Sequence, residues 1–127
     1  MNRLIPLILI FILLAGCQPE KIAVPRSMKD ILVVSNLKKP ELSFVDLQTG
    51  KLTASDLNFR ITSMVKVDRD TIILAGENED SLYRLQLKQG TLTKLAQTGK
   101  GINELLYRPQ DHLLYFSNGT KNTVGFY

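Results

Sequence analysis

The chain has 127 residues, with 16 basic and 12 acidic side chains, one histidine and one cysteine. That length holds one small domain with short extensions; the lone cysteine excludes an intramolecular disulfide and the lone histidine a multi-histidine metal site. The net charge of +4 comes from scattered residues, which excludes the dense basic stripe with stacking aromatics that nucleic-acid binding requires.

In chain order, Asn2 and Arg3 form a short positive start, Leu4 to Leu14 an apolar run broken only by Pro6, and Ala15-Gly16 a small-residue end. This is the layout of a secretory signal, and the run is shorter than the ~20 residues of a bilayer span. Leu14-Ala15-Gly16-Cys17 resembles the lipobox of bacterial lipoproteins. The resemblance implies cleavage after residue 16, a diacylglyceryl group on the Cys17 thiol, and often a further acyl chain on its amino group. Two or more chains anchor stably where one binds only marginally. The expected location is the extracytoplasmic side of a bacterial cell membrane; in a two-membrane envelope, Gln18 after the cysteine favours the outer membrane by family analogy. Without residues 1–16 the chain keeps 15 basic and 12 acidic side chains. Residues 17–30 are polar, carry Pro19 and Pro25, and read as a tether reaching at most ~45 Å.

From residue 31 the signals are those of strands. Ile31-Leu32-Val33-Val34 ends at Ser35-Asn36 and a Lys-Lys-Pro turn; Leu42 to Leu47 follows, then Thr49-Gly50 and a strand from Lys51 to Ala54. Ile61 to Val67 alternates, Asp68-Arg69-Asp70 makes a turn, and Thr71 to Ala75 reads as a buried strand. Leu82 to Leu87 and Thr91 to Leu95 flank Gln89-Gly90. Short strands about every ten residues, with no sustained helical period, predict an all-β fold of antiparallel sheets.

The segments also repeat. Asp30, Asp70 and Asp111 each precede a strand, and a shift of 41 lays Val33 on Leu74 and Leu74 on Tyr115. VDLQTGKL at 45–52 falls on LQLKQGTL at 85–92 after 40 residues, and ITSMVKVDRD at 61–70 on INELLYRPQD at 102–111 after 41. One period shared by three segments is that of a four-stranded propeller blade, ~40–45 residues. Val33, Leu74 and Tyr115 are therefore expected in equivalent places.

RPQDHLLYFSNGTKNTVGFY at 108–127 is similar to the repeat of YVTN-type β-propellers, through Pro109, Asp111, Leu114, Tyr115, Ser117, Asn118, Asn122, Thr123 and Val124. FVDLQTGKL at 44–52 resembles the other half of that repeat, whereas GENEDSLYRL departs from it. The resemblance spans residues 31–127 and implies blades. Residues 61–67, 71–75, 82–87 and 91–95 would be the first to fourth strands of one, with Ile102 opening the next. The first unit would begin at its second strand, giving about 2.4 units at that period.

The chemistry-bearing residues have plain structural readings. His112 sits beside a turn. Asp68, Asp70, Glu77, Glu79 and Asp80 are close in sequence without the spacing of an EF-hand. Thr98-Gly99-Lys100-Gly101 lacks the remaining parts of a phosphate loop. Asn118-Gly119-Thr120 matches a glycosylation acceptor but reads as a turn. Tyr107, Tyr115, Phe116, Phe126 and Tyr127 read as packing between blades. No catalytic, cofactor or metal residues are expected, and Cys17 is the one functional residue.

The expected function is a lipid-anchored, non-catalytic binding or display scaffold, with the membrane as one partner and a protein or small molecule as the other. An enzyme of lactonase-like or quinoprotein-like type, completed by sequence beyond these residues, and a small structural envelope lipoprotein stand as alternatives. The repeat arithmetic predicts an incomplete propeller, most simply part of a longer protein, with a ring closed by several copies as the competing account.

Overall fold

Apolar and polar residues alternate between turns rich in Gly, Asp and Asn, and each alternating stretch is a strand. The computed structural model describes residues 18–25 and 29–127, so the expected signal peptide and Cys17 lie outside the described residues. Eleven strands follow in order: β1 Glu20–Lys21, β2 Ile31–Ser35, β3 Glu41–Asp46, β4 Leu52–Asp56, β5 Ile61–Lys66, β6 Thr71–Gly76, β7 Ser81–Gln86, β8 Thr91–Gln97, β9 Ile102–Arg108, β10 Leu113–Asn118 and β11 Thr123–Phe126. No helix occurs among the described residues.

They form three antiparallel sheets: a first of order β2-β3-β4, a middle one of order β1-β8-β7-β6-β5, and a third of order β11-β10-β9. The all-β, antiparallel expectation holds, and the predicted strands agree with the observed ones to within two residues. Each sheet has a back face toward the preceding sheet and a front face toward the following one.

The core lies between sheets, in two layers. Leu42 and Phe44 on the front of the first sheet meet Ile72, Leu74, Leu85 and Leu92 on the back of the middle sheet, with Ile31 and Val33 packed alongside. Ile73, Ala75 and Leu82 on the front of the middle sheet meet Ile102 and Leu114 on the back of the third, with Tyr107 and Phe116 alongside. Period two along β6 sends alternate side chains into the two layers. Each fully buried Leu, Ile or Phe contributes ~1.5–3 kcal/mol relative to exposure.

The outer hairpins keep the expected repeat of 40. Val45 pairs with Leu52 and Leu85 with Leu92, and Gly50 and Gly90 both take positive φ, 71° and 59°, which glycine adopts without a Cβ penalty. The innermost strands β5 and β9 keep 41: bulges at Thr62 and Asn103 interrupt equivalent registers. Beside them the Thr62 hydroxyl donates to the Ile102 carbonyl at 3.0 Å and Leu105 N–H to the Ser63 hydroxyl at 3.1 Å. These bonds tie β5 to β9.

Two expectations need correction. Val33, Leu74 and Tyr115 do lie on strands of the same rank, β2, β6 and β10, but not on the same face. Val33 looks forward into the first core layer and Leu74 looks back into that same layer. Tyr115 is flanked by Leu114 and Phe116, which enter the second layer, so it points away from it. A one-residue slip from the true offset reverses the face of a strand. The observed equivalents are Val33, Ile73 and Tyr115, at shifts of 40 and 42, because Ser35–Leu42, Ala75–Leu82 and Ser117–Val124 are matching pairs.

The second correction concerns the tether. Residues 20–24 belong to the domain: Glu20 pairs with Leu92 and Lys21 with Thr91, Ile22 N–H donates to the Gly90 carbonyl at 2.8 Å, and Ile22 is buried in the first core layer. The polar composition hid the short alternation Ile22, Val24, which is enough to cover the otherwise open edge of β8.

Candidate interaction surfaces

The turns at one end of the sheets are built by aspartates. Two of the Asp residues before a second strand fix the end of the third: the Asp30 carbonyl accepts from Leu47 N–H at 3.0 Å and the Asp70 carbonyl from Leu87 N–H at 2.8 Å. Within the turns, Asp68 Oδ1 accepts from Asp70 N–H at 2.7 Å and Thr71 N–H at 2.8 Å, and Asp46 Oδ1 accepts from Gln48 N–H at 2.8 Å. These are Asx-type turns. The backbone donors hold both carboxyls below the ordinary aspartate range, Asp46 chiefly through Gln48 and Asp68 chiefly through Asp70. Asp111 is lowered mainly by its hydrogen bond with Arg108, which also raises the guanidinium.

The acidic residues grouped in sequence are separated in space. Asp68 and Asp70 occupy the turn before β6; Glu77, Glu79 and Asp80 follow its far end, and a six-residue strand spans ~20 Å. Glu77 pairs with Arg60 and Asp80 accepts from the Ser81 hydroxyl at 2.9 Å. Glu79 accepts a hydrogen bond from the Tyr83 hydroxyl, whose pKa is raised by burial and then by that carboxylate. Tyr83 stacks on Phe59, centroids 4.5 Å apart, over Gly76, where any Cβ would run into the Phe59 ring. Among the described residues, no three His, Cys, Asp or Glu side chains converge on a point that could hold a metal ion.

The remaining sequence candidates are also accounted for. His112 adopts φ 58°, and its Nδ1 lies 3.1 Å from the exposed Tyr107 hydroxyl. The segment 98–101 is a connection: Thr98 N–H and Gly99 N–H both donate to the Asp80 carbonyl at 2.9 Å. Asn118 is 2 % exposed; its amide donates to the Lys100 carbonyl at 3.0 Å and its Oδ1 accepts from Lys121 N–H at 3.0 Å. A side chain so enclosed locks the turn and presents nothing to a glycosylating enzyme.

The aromatic residues divide. Tyr107 and Phe116 pack between sheets. Tyr115 and Phe126 lie on the opposite face of the third sheet, with Arg108 5.6 Å from the Tyr115 ring centroid. Leu106, Tyr115 and Phe126 are cross-strand partners in one row, and Leu106 and Phe126 are 64 % and 71 % exposed. At the other end of the array, Leu32, Val45 and Leu52 form a matching row on the back of the first sheet, with Leu32 and Leu52 49 % and 60 % exposed. Sequence reasoning missed both rows. Cross-strand register, which the sequence repeats supply, was the signal that could have found them. No helix among the described residues is long and apolar enough to cross a membrane.

No family model matches the chain, and no curated protein is significantly similar to it. The fold is similar to that of a chain in the crystal structure of the mitotic checkpoint complex, with a TM-score of 0.63 and 14 % identity. The match covers 88 % of this chain and 37 % of the other. The chain thus spans little more than a third of the length of its structural neighbour, and shares with it a propeller-like repeat fold.

Proposed function

We propose that this chain is a lipid-anchored cell-envelope protein of bacterial type, held to the membrane through Cys17 and displaying a non-catalytic, propeller-like binding scaffold. The observation that carries the reading is Leu14-Ala15-Gly16-Cys17 at the end of an apolar run. The layout is that of a secretory signal, and acyl chains at Cys17 would give the stable anchoring that one chain does not. Residues 18 and 19 then separate the lipid from β1, since residues 20–24 are part of the domain.

The scaffold half of the reading is supported by how the polar side chains are used. Asp46, Asp68, Asp70 and Asn118 bond to nearby backbone, and Glu77 pairs with Arg60. Groups spent on turn geometry are poor candidates for proton transfer or nucleophilic attack. The structural neighbour belongs to a protein complex, in keeping with a fold that serves to bind partners.

The test is intact-mass measurement of the membrane-extracted chain and of Cys17→Ser. The native chain should begin at residue 17 and carry a diacylglyceryl increment, and the variant should carry none. Cleavage elsewhere, or an unmodified Cys17, refutes the anchor. Thermal-shift screening against metals, quinones and glycans addresses the scaffold: turnover of any stabilising ligand would replace the non-catalytic reading with an enzymatic one.

A further inference from the structure

The loop between β2 and β3, Asn36-Leu37-Lys38-Lys39-Pro40, carries the most exposed large apolar side chain among the described residues, Leu37 at 77 %. The loop is fixed. Asn36 Oδ1 accepts from Lys38 N–H at 2.9 Å and from Lys39 N–H at 3.2 Å, and Glu41 N–H donates to the Lys39 carbonyl at 2.9 Å. Leu37 is thus held outward, followed by two lysines that form no ion pair among the described residues. The equivalent loops differ: Glu77 and Gly119 stand where Leu37 does, by the matching pairs Ser35–Leu42, Ala75–Leu82 and Ser117–Val124. Both are exposed although a preceding sheet covers the back of each of their sheets. The exposure of Leu37 therefore does not depend on what covers the first sheet.

This loop adjoins the stem of the expected anchor, residues 20–24. Leu57 N–H donates to the Pro40 carbonyl at 2.7 Å, and the amide of the next residue, Asn58, donates to the Glu20 carboxylate at 3.3 Å. The Ser55 hydroxyl donates to the Ala23 carbonyl at 3.0 Å, so the stem is seated on the first sheet as well as on β8. Three residue steps join Glu20 to Cys17, ~11 Å at full stretch, and a lipid on Cys17 would keep the headgroups within that reach of Glu20. A lone exposed leucine is ordinary on a protein surface. One followed by two lysines beside a lipid tether has the chemistry of an interfacial contact, with an apolar tip for the acyl boundary and cations for anionic headgroups.

We infer, resting on the lipid anchor proposed above, that the Leu37 loop is a second membrane contact: Leu37 enters the interface, and Lys38 and Lys39 meet anionic lipid headgroups. The tether alone leaves the domain free to roll. The loop fixes which side faces the bilayer, at little cost, because its contact is intramolecular once the lipid is inserted. Gln110, in the turn before β10, lies at the opposite end of the third sheet and stays in water.

Full-length Leu37→Cys and Gln110→Cys should be purified in mild detergent, labelled with an apolar thiol fluorophore, and reconstituted into vesicles of phosphatidylethanolamine and phosphatidylglycerol. Both positions are exposed, so folding is spared. Aqueous iodide should quench the label at 37 about tenfold less than at 110, and brominated lipid chains should quench it more, since interfacial side chains sit at the acyl boundary. Exchanging phosphatidylglycerol for phosphatidylcholine should raise iodide quenching at 37, each lysine at an anionic surface contributing about fivefold to docking; no rise overturns the headgroup contact. Equal quenching at 37 and 110 in anchored protein overturns the inference alone. So does shielding from iodide without quenching by brominated lipid, which marks a protein cover. An unlipidated Cys17 shows itself as a second label on each chain with protein in the aqueous fraction, and overturns the anchor and the inference together.

Discussion

Strands β2 and β6 hold the same rank in neighbouring sheets and live under different constraints. In β6, Ile72 and Leu74 enter one core layer while Ile73 and Ala75 enter the other; it pairs with strands on both edges. In β2, Ile31 and Val33 pack forward, Leu32 and Val34 are exposed on the back, and only the β3 edge is paired. The near-continuous apolar run TIILA and the similar ILVV therefore mean different things. A run buried on both faces needs its sizes fixed on both, whereas one buried on a single face leaves the other for something else to cover.

The largest effect that sharpens this difference is in β6. Leu74→Ala opens a cavity in the first layer and should cost ~2–5 kcal/mol, read as a fall in the denaturant midpoint at constant slope. On the other face Ala75→Leu should cost ~1–3 kcal/mol by overpacking against the third sheet. Tolerance of the larger side chain at 75 would mean that the second layer is not filled as described.

Next in size is the third sheet's own lock. Asn118→Ala removes the hydrogen bonds to the Lys100 carbonyl and from Lys121 N–H, each with a net contribution of ~0.5–1.5 kcal/mol. Unchanged chemical-denaturation midpoints would show that the turn holds without the side chain.

The smallest effects are those of pH, and they fall on the turns rather than on β6. The folded pKa values of Asp46, Asp68 and Asp111 are lowered, so their contribution is complete above the unfolded value of ~4 and is lost as pH falls through the folded values. The Tyr83 pKa is raised, so its contribution is present below the unfolded value of ~10 and is lost as pH rises toward the folded one. Urea midpoints across pH should fall on both limbs, and Tyr83→Phe should flatten the alkaline limb alone.

Strand order and turn positions were legible because they depend on local alternation and on Asp, Asn and Gly at fixed offsets. Facing was less legible. The letters of β2, β6 and β10 can be aligned at 41, but β10 stands 42 residues after β6 and β6 40 after β2, and identity between letters carries no record of which face a side chain takes. The reason lies in the hairpins: six residues separate the paired Tyr107 and Leu114 where five separate the equivalent Lys66 and Ile72, and His112 takes the left-handed conformation within the longer one. The docking of Ile22 was illegible for a different reason. A two-residue strand has no period to read, and its stability comes from an edge of β8 about 70 residues away. That the acidic residues close in sequence fall on opposite turns is revealed by the length of β6.

Native-state hydrogen exchange, strand by strand, tests most directly the account of a middle sheet held from both faces and both edges. Amides of β6 should exchange only through global unfolding, the slowest in the protein, while amides of β2 and β11, each paired on one side, exchange through local opening. Equal protection of β2 and β6, or faster exchange in β6, would contradict it.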